Sequence, residues 1–384
     1  MAQQKVRMGM IGGGEGAFIG PVHRLAAELD GQIELVCGAF SSTPEKSRRS
    51  GQSVYGLPAE RCYGDYQEMF QAECTLPEST RMEFVAVTTP NHVHFAAARA
   101  ALAAGFHVVC DKPLTHRLDD AIELARLSDT AGLLFAVTHN YTGYPMVREA
   151  RELIAAGKLG SIRRVVCEYL QGWLAGAQET EGNKQADWRT DPERAGVAGC
   201  FGDLGSHAHN LLEYVTGLRV SAVCADLSSF VAGRRLDDDG NVLLRFAGGA
   251  KGVVFASQVA VGEENGLKLR VYGESGGLEW SQMEPNSLIV RWPDRPYEVR
   301  RTGSLGQSPA AQAATRLPAG HPEGYLEAFA VLYRDFAAAV RDFKAGRAPG
   351  SDFPTIADGV RGMQFIDSVV RSSADGGCWL EVAG

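Results

Sequence analysis

The sequence lacks the patterns that mark several large classes of protein. No apolar run is long enough to cross a bilayer, so a membrane-spanning protein is not expected. The eight cysteines are scattered, without a C-x-x-C pair or a Cys/His ligand spacing, which argues against structural zinc and against a disulfide framework. A strand pattern begins by Val6 and leaves no room for a signal peptide. We therefore expect a reducing, cytoplasmic location and no metal.

Concentrated charge of one sign is also missing. The 384 residues carry a net charge of −8, the pI is about 5.7, and like charges never form a run. A protein that binds nucleic acid or an anionic membrane needs a basic patch, so we expect neither partner. The composition is that of an ordinary globular protein, and the chain is longer than one hydrophobic core comfortably accommodates. Two domains are therefore predicted.

The patterns along the chain predict a different architecture for each domain. Strand and helix patterns alternate in residues 1–145, which predicts a doubly wound parallel sheet. Residues 146–384 are mostly strand patterns separated by short glycine-containing turns, which predicts an α+β domain on a large, mostly antiparallel sheet. Within this second part, Thr302–Pro318 is predicted to be a loop. Two helices are predicted near Tyr325–Lys344 and Pro354–Arg371, and their domain assignment is left open.

The first strand runs into a glycine-rich loop. Gly12 to Ala17 fits G-x-G-x-x-A, in which glycines let the main chain approach a pyrophosphate at a helix N-terminus. The position after the first strand, ahead of further βαβ units, supports a dinucleotide site over a simple glycine turn. Because Pro21 disfavours a helix interior, we expect the helix to start late and the loop to be longer than usual.

Two other strand ends belong to the predicted dinucleotide site. The second strand is followed by Ser41, Ser42 and Lys46 rather than by the acid that binds the ribose of NAD, so the choice between NAD and NADP is left open. The strand Phe84–Thr88 ends in Thr89-Pro90-Asn91-His92-Val93-His94. The two histidines of this turn fit solvent exposure as well as nicotinamide or substrate contact. We predict these cofactor-binding residues: Gly12, Gly14, Glu15, Gly16, Ala17, Ser41, Ser42, Lys46, Thr89, Pro90, Asn91, His94, Asp111 and Lys112.

Three residues fit the oxidation of an alcohol beside such a cofactor. Lys112 follows a short buried strand, at the sheet edge where ligands bind, and supplies a cation near the oxygen. His207 is a base suited to the hydroxyl proton, and Asp203, four residues earlier on a predicted helix, shares its face and orients the base or the substrate. Lys112, Asp203 and His207 are the predicted catalytic residues.

In this light the chain resembles the glucose–fructose oxidoreductase/inositol dehydrogenase (Gfo/Idh/MocA) family. The similar segments are Gly12–Ala17, 89–94, Asp111–Pro113, Gly199–His207 and Gly320–Tyr325. The resemblance implies an N-terminal Rossmann domain, a C-terminal domain whose open sheet joins subunits into a homodimer or homotetramer, and oxidation of a sugar or cyclitol with NAD or NADP. It also implies the catalytic roles of Lys112, Asp203 and His207 and a cis Lys112–Pro113 peptide. The family's usual Glu before the lysine is Asp111 here, and an acid often found three residues after the histidine is Asn210.

The substrate site is defined less sharply by the sequence. Aromatic side chains with polar tips suit a sugar ring, although packing in the core explains each of them equally well. His321 ranks first of the candidates outside the catalytic set, because Gly320 and Pro322 confine its main chain in a loop-like stretch. The predicted substrate-binding residues are Lys112, Asn140, Tyr141, Tyr144, Trp173, Trp188, Arg189, Asp203, His207 and His321.

Three functions are compatible with these residues. The first is an NAD(P)-dependent sugar or polyol dehydrogenase. The second is an NAD-dependent glycosidase, which oxidises a glycoside transiently, eliminates the leaving group, adds water and returns the hydride. The third is a non-catalytic dinucleotide-binding sensor, which has no need of the lysine, aspartate and histidine set.

Overall fold

The computed structural model describes residues 4–350 and 352–383, which form two compact units. The first contains the chain up to Thr115, Asp119–Asn140 and Phe329–Val360. The second contains His116–Leu118, Tyr141–Ala328 and the chain from Arg361 onward. The predicted boundary after residue 145 thus differs from the observed division in one large segment. Residues 329–360 group with the first unit, since their apolar side chains, such as Phe336 against Phe84 (5.2 Å between ring centroids), pack beside its sheet.

The first unit is built on a parallel five-stranded sheet in the order β2-β1-β3-β4-β5. The strands are almost entirely buried because helices follow each of them, as in a doubly wound fold. The elements are β1 Val6–Gly12, α1 Ile19–Leu29, β2 Ile33–Ala39, α2 Pro44–Tyr55, α3 Tyr66–Thr75, β3 Phe84–Thr88, α4 Asn91–Ala103, β4 His107–Cys110, α5 Leu118–Ala131 and β5 Phe135–Val137.

The register of this sheet brings the candidate cofactor residues to one edge. Gly12 is paired with Thr88, and Val87 with Cys110, so the carboxyl ends of three strands lie in a row. Helix α1 begins at Ile19, which confirms the late start and leaves Pro21 in the first turn, where a missing N–H does no harm.

The second unit is built on a mixed, mostly antiparallel sheet of nine strands in the order β13-β12-β11-β10-β6-β9-β8-β7-β14. Among the described strands of this sheet, only β6 and β9 pair in parallel. The fold class predicted from the sequence is therefore confirmed. The strands are β6 Ile162–Leu170, β7 Val220–Ser228, β8 Asp239–Phe246, β9 Lys251–Ser257, β10 Gly266–Gly273, β11 Gly277–Ser281, β12 Ser287–Arg291, β13 Glu298–Arg301 and β14 Leu380–Glu381.

The remaining helices include one departure from the predicted pattern. A π-helical turn, Phe201–Gly205, precedes α9 and carries Asp203, which the sequence placed in an ordinary helix. The predicted loop Thr302–Pro318 was wrong in part, because α10 begins inside it, where Ser308 caps the helix and Pro309 occupies the first turn. The helices are α6 Pro145–Ala155, α7 Lys184–Arg189, α8 Pro192–Ala195, α9 Ser206–Thr216, α10 Pro309–Ala314, α11 Tyr325–Lys344 and α12 Ile356–Ala374. Within the described residues, no helix is both long and apolar enough to cross a membrane.

Candidate active site

The glycine-rich loop between β1 and α1 has the shape that a pyrophosphate needs. A Cβ on Gly14 would lie 2.4 Å from the carbonyl oxygen of Phe40, so only glycine fits there. Gly16 has a φ of +79° and no atom within 4 Å of where its Cβ would be, so the main chain faces open space. A loop of bare main chain before a helix N-terminus fits the phosphates of a dinucleotide.

Residues of α2 hold this loop in place. The Tyr55 hydroxyl donates to the carbonyl oxygen of Gly13, and the Tyr55 ring stacks on Phe40 with 4.6 Å between centroids. Burial raises the pKa of Tyr55 to about 12, which keeps the donating proton in place. The Glu15 N–H donates to Ser50 Oγ (3.2 Å), while the Glu15 carboxylate extends outward toward Arg49. Tyr55 and Ser50 lie about 40 residues from the loop, and the loop motif itself contains no signal for them.

The residues that follow β2 do not favour NAD over NADP. Ser41 Oγ accepts a hydrogen bond from the Thr43 N–H (3.2 Å) and so helps to start α2. Ser42 is exposed and Lys46 is half-buried. Hydroxyls suit a ribose diol and an ammonium suits a 2′-phosphate, and this turn offers both.

His94 joins the turns that follow β3 and β4. It is fully buried, with Nε2 2.8 Å from the Thr89 carbonyl oxygen and Nδ1 2.9 Å from that of Pro113. Burial lowers the pKa of His94. Both ring nitrogens are therefore directed at the main chain of the two turns. Of the two alternatives that the sequence left open for His94, solvent exposure is wrong because the side chain is fully buried, and contact with a ligand stays a prediction.

Asp111, directly before Lys112, is held ionised by its neighbours. Its Oδ1 accepts from Thr138 Oγ1 (2.7 Å) and from the Lys112 N–H (2.9 Å), and His23 Nε2 lies 3.8 Å away. Burial by itself would raise the pKa of Asp111, but His23, then Thr138 and the charge of Lys112, hold it well below its usual value. The peptide between Lys112 and Pro113 is cis, which confirms that prediction.

His23 connects Asp111 to a buried part of α11. It lies on the face of α1 that also buries Gly20, Ala26 and Ala27, and its Nδ1 is 2.6 Å from the Tyr333 hydroxyl. Burial keeps the pKa of Tyr333 well above its usual value, so the phenol keeps the proton that lies between it and His23.

In the second unit, the π-helical turn that carries Asp203 is fixed at its start by Asp237. The Asp237 carboxylate accepts from the N–H groups of Gly199 (2.7 Å) and Phe201 (2.8 Å), and its carbonyl oxygen accepts from the Cys200 N–H. Burial raises the pKa of Asp237 to about 6 despite these donors. A Cβ on Gly199 would lie 2.3 Å from the Asp237 carbonyl oxygen, so this close approach requires glycine. Such π-helical turns are frequent at functional sites.

The Asp203 carboxylate has two fixed donors. Arg189 Nε lies 3.2 Å and Gln258 Nε2 3.1 Å from its Oδ2. The guanidinium of Arg189 also lies 4.2 Å from the centre of the Trp188 ring. Arg189, predicted to bind substrate, therefore forms an ion pair with Asp203 in this structure. Gln258, which follows β9, was not among the predicted residues, and its sequence surroundings give no signal for it.

His207 lies in the first turn of α9 among aromatic rings. It is 7% exposed, and its ring meets Tyr141 edge-on at 4.8 Å between centroids and Tyr169 at 6.2 Å. The imidazole is therefore largely screened from water and packed beside two phenol rings. Asp203 precedes His207 by four residues, about one helical turn, and these two side chains are the ones predicted to orient and remove a hydroxyl proton.

Comparison with known proteins assigns both units to one family. Residues 6–139 match the family model described as an oxidoreductase family with an NAD-binding Rossmann fold, and residues 147–279 match the Gfo/Idh/MocA C-terminal domain. The chain belongs to the Gfo/Idh/MocA family. It is thus an NAD(P)-dependent oxidoreductase, and its first unit is an NAD-binding Rossmann domain.

Three members of the Gfo/Idh/MocA family illustrate the similarity. An oxidoreductase from Sinorhizobium meliloti is 48% identical, with a TM-score of 0.89 over 98% of this chain and 100% of that one. The inositol dehydrogenase homolog of Azotobacter vinelandii, solved with NAD⁺, is 37% identical, with a TM-score of 0.94 over 98% and 97%; it was also solved with NADH and myo-inositol. Levoglucosan dehydrogenase of Pseudarthrobacter phenanthrenivorans is 27% identical over 99% of this chain and 98% of its own.

The other predicted residues of this family member fall into two groups. Asn140 and Lys112 belong to the first unit, and Asn140 is buried. Tyr141 and Tyr144 are buried in the second unit, where the Tyr144 ring packs on Trp280 with 5.3 Å between centroids. Trp173 and Trp188 are half-buried, and His321 is exposed, with Nδ1 3.2 Å from the Pro318 carbonyl oxygen. The roles of all these residues stay predictions. Among the described residues, no group of three His, Cys, Asp or Glu side chains could hold a metal ion.

Proposed function

We propose that this protein oxidises a secondary alcohol of a cyclitol or sugar, with NAD as the acceptor. The similarity to the inositol dehydrogenase homolog of Azotobacter vinelandii, solved with NADH and myo-inositol, carries this proposal, because it extends over nearly the whole chain. Bound nicotinamide supplies the hydride acceptor. Lys112 stabilises the developing negative charge on the substrate oxygen, His207 takes the hydroxyl proton, and Asp203 orients the hydroxyl.

The site of the second unit supports a neutral, polyhydroxylated substrate. The Asp203 carboxylate is fixed by Arg189 and Gln258, so it is an acceptor directed by its surroundings rather than a mobile surface charge. An accepting carboxylate beside a base suits a hydroxyl group, which donates one hydrogen bond and can lose that same proton. Because Arg189 is paired with Asp203, its charge does not favour an acidic group on the substrate.

A substrate panel tests the proposal directly. The protein is incubated with NAD or NADP and with myo-inositol, other inositol isomers, levoglucosan, free sugars and aryl glycosides, while reduced cofactor and aglycone are both recorded. Reduced cofactor with a cyclitol or sugar is the expected result, and NAD is expected to be preferred. Aglycone release without net reduced cofactor would instead establish the redox-assisted glycosidase. If cofactor binds and no substrate is turned over, the sensor function gains support.

We also propose that the nine-stranded sheet joins two copies of the chain. On its open face, apolar side chains alternate with charged ones and remain exposed, notably Leu243 (49%) and Tyr272 (39%). Apolar area of this kind on a flat sheet favours association with a second, identical surface. Light scattering after size-exclusion chromatography is expected to give a dimer or tetramer, and Leu243→Glu with Tyr272→Glu is expected to reduce the mass. A monomeric wild type would contradict this arrangement.

A further inference from the structure

A chain of hydrogen bonds beside His207 has a direction that its own residues determine. The Trp173 indole N–H can only donate, and it donates to Gln171 Oε1 (2.9 Å). The other end of the Gln171 amide is therefore the NH₂ group, which donates to Asn265 Oδ1 (2.8 Å). Because Asn265 Oδ1 accepts this hydrogen bond, the other end of the Asn265 amide is its nitrogen, Nδ2. The orientation of both amides follows from one indole group.

The chain ends in a closed ring of three side chains. Asn265 Nδ2 donates to Tyr141 Oη (3.2 Å), Tyr141 donates to Tyr169 Oη (2.5 Å), and Tyr169 donates to Asn265 Oδ1 (2.7 Å). Burial raises the pKa of Tyr141 and keeps that of Tyr169 well above its usual value, so both phenols retain the protons that this ring uses. The Tyr141 hydroxyl proton is thus committed to Tyr169.

One N–H of the Asn265 side-chain amide is not used by this network of hydrogen bonds. Asn265 Oδ1 already accepts from Tyr169 and Gln171, and one N–H of its amide goes to Tyr141. In the part of the chain that the structure describes, no protein acceptor takes the second N–H. Asn265 lies in the half-buried loop between β9 and β10, where that N–H is within reach of solvent or of a ligand.

The surroundings select the kind of ligand atom. The ring partner of Asn265, Tyr141, meets the His207 imidazole at 4.8 Å between centroids. Glu263 and Glu264 precede Asn265 directly, and the charge of Asp203 acts on both Tyr141 and Tyr169. A carboxylate or phosphate would be repelled by these acids. A neutral oxygen with a free lone pair would not be repelled by these acids and could accept the N–H.

We propose that Asn265 is a specificity-determining residue, whose second N–H donates to a hydroxyl oxygen of the substrate that is not the one oxidised. Gln171 and Trp173 are positioning residues that keep the Asn265 nitrogen, rather than its oxygen, on the substrate side. The inference rests on the proposed oxidation of a polyol and adds to it the readout of a second hydroxyl. In this arrangement Tyr141 contributes its ring and its hydrogen bond to Asn265, not its hydroxyl.

The test measures steady-state oxidation of myo-inositol and of the monodeoxy-inositols by the full chain with NAD. Asn265→Ala is expected to raise KM about tenfold with kcat within about threefold, because a hydrogen bond present in ground and transition states is lost. For one monodeoxy-inositol, the wild type itself is expected to lose about tenfold in kcat/KM, and Asn265→Ala should then add nothing. Trp173→Phe, which frees the Gln171 amide to turn over, is expected to raise KM by a smaller factor. Gln71→Ala deletes an exposed side-chain amide on α3, to which no role is assigned, and serves as the control.

Three outcomes would overturn the inference, and they are distinguishable. Tyr169→Phe breaks the ring and leaves both amide N–H groups in place, so an equal rise of KM there would assign Asn265 a purely structural role. Unchanged KM and unchanged deoxy-inositol discrimination in Asn265→Ala would remove the inference while the proposed oxidation stands. A wild type that oxidises no cyclitol or sugar would remove both. Melting temperatures and NADH binding of every variant show whether it has folded.

Discussion

Two aspartates that support the candidate catalytic residues behave in opposite ways. Asp111 stands beside Lys112 and has cationic and hydroxyl partners, which hold its pKa well below the usual value. Asp237 fixes the turn before His207 and has two N–H donors with Asp238 as a negative neighbour, and burial raises its pKa to about 6. Burial acts on both carboxyls in the same direction. A nearby cation therefore decides which of them is securely ionised at neutral pH.

The difference has a functional meaning. The negative charge of Asp111 is a permanent feature of the strand ends where Lys112 stands. The charge of Asp237 depends on pH in the range where an oxidoreductase operates. We therefore predict that the charge of Asp111, beside Lys112, persists in mild acid, whereas the charge of Asp237, before His207, does not. Substitutions in each region test this difference.

The largest effect is expected from Lys112→Ala. If Lys112 stabilises developing charge on the substrate oxygen, its loss should lower kcat by about 100-fold or more, whereas NADH binding, to which Lys112 is also predicted to contribute, should weaken by a smaller factor. Stopped-flow hydride transfer and fluorescence titration of NADH measure the two quantities. Lys112→Arg keeps the charge and is the matched control, expected to be intermediate. A Lys112→Ala enzyme with wild-type kcat would place the charge stabilisation elsewhere.

Asp111→Asn should have the next largest effect, and on stability. The variant keeps the shape of the side chain but loses the charge that Thr138, the Lys112 N–H and His23 surround. We therefore expect the free energy of unfolding at pH 7 to fall by about 2–4 kcal/mol. Because the folded-state pKa lies below the unfolded one, this stabilisation is complete above the unfolded value and is lost as the pH falls below about 4. Denaturant unfolding at pH 7, 5 and 4 measures it.

The gap in stability between wild type and Asp111→Asn should stay constant from pH 7 to 5. Narrowing already in that interval would contradict the depressed pKa of Asp111. His23→Gln removes the side chain that lowers the pKa of Asp111 most and should reproduce part of the effect.

The contrast between the two aspartates also marks the limit of what the sequence could predict. The glycine loop, the strand ends and the Lys112, Asp203 and His207 candidates were found because local motifs follow the period of strands and helices. Asp237, Gln258 and Thr138 were not, because each meets its partner only through pairing of segments 27 to 55 residues apart.

The same limit explains the differences within the fold. The π-helical turn at Asp203 depends on Asp237, which anchors its start from a separate loop, so the local pattern predicted an ordinary helix there. Arg189 was predicted to contact substrate because the sequence placed it in a long loop, where its charge could bind a group on the substrate. The structure places it at the end of α7 instead, and its neighbour Asp203 is 14 residues away in the chain.

The smallest expected effect, Asp237→Asn, tests the comparison most closely. The folded-state pKa of Asp237 is raised above the unfolded one, so its contribution to stability is present below about pH 4 and is lost as the pH rises through about 6. We expect the wild type to lose about 1–2 kcal/mol between pH 4.5 and 7 that Asp237→Asn does not lose, after allowance for partial exposure. This trend is opposite in sign to that of Asp111.

In the rate of oxidation, protonation of Asp237 removes an acceptor for the Gly199 and Phe201 N–H groups, so kcat should fall below about pH 6. Because His207, if it is the base, is expected to produce a limb in the same range, the decisive measurement is the pH profile of His207→Asn alone and combined with Asp237→Asn. A residual limb near pH 6 that disappears only in the double variant would assign it to Asp237, and its absence from His207→Asn would assign the whole pH dependence to the imidazole.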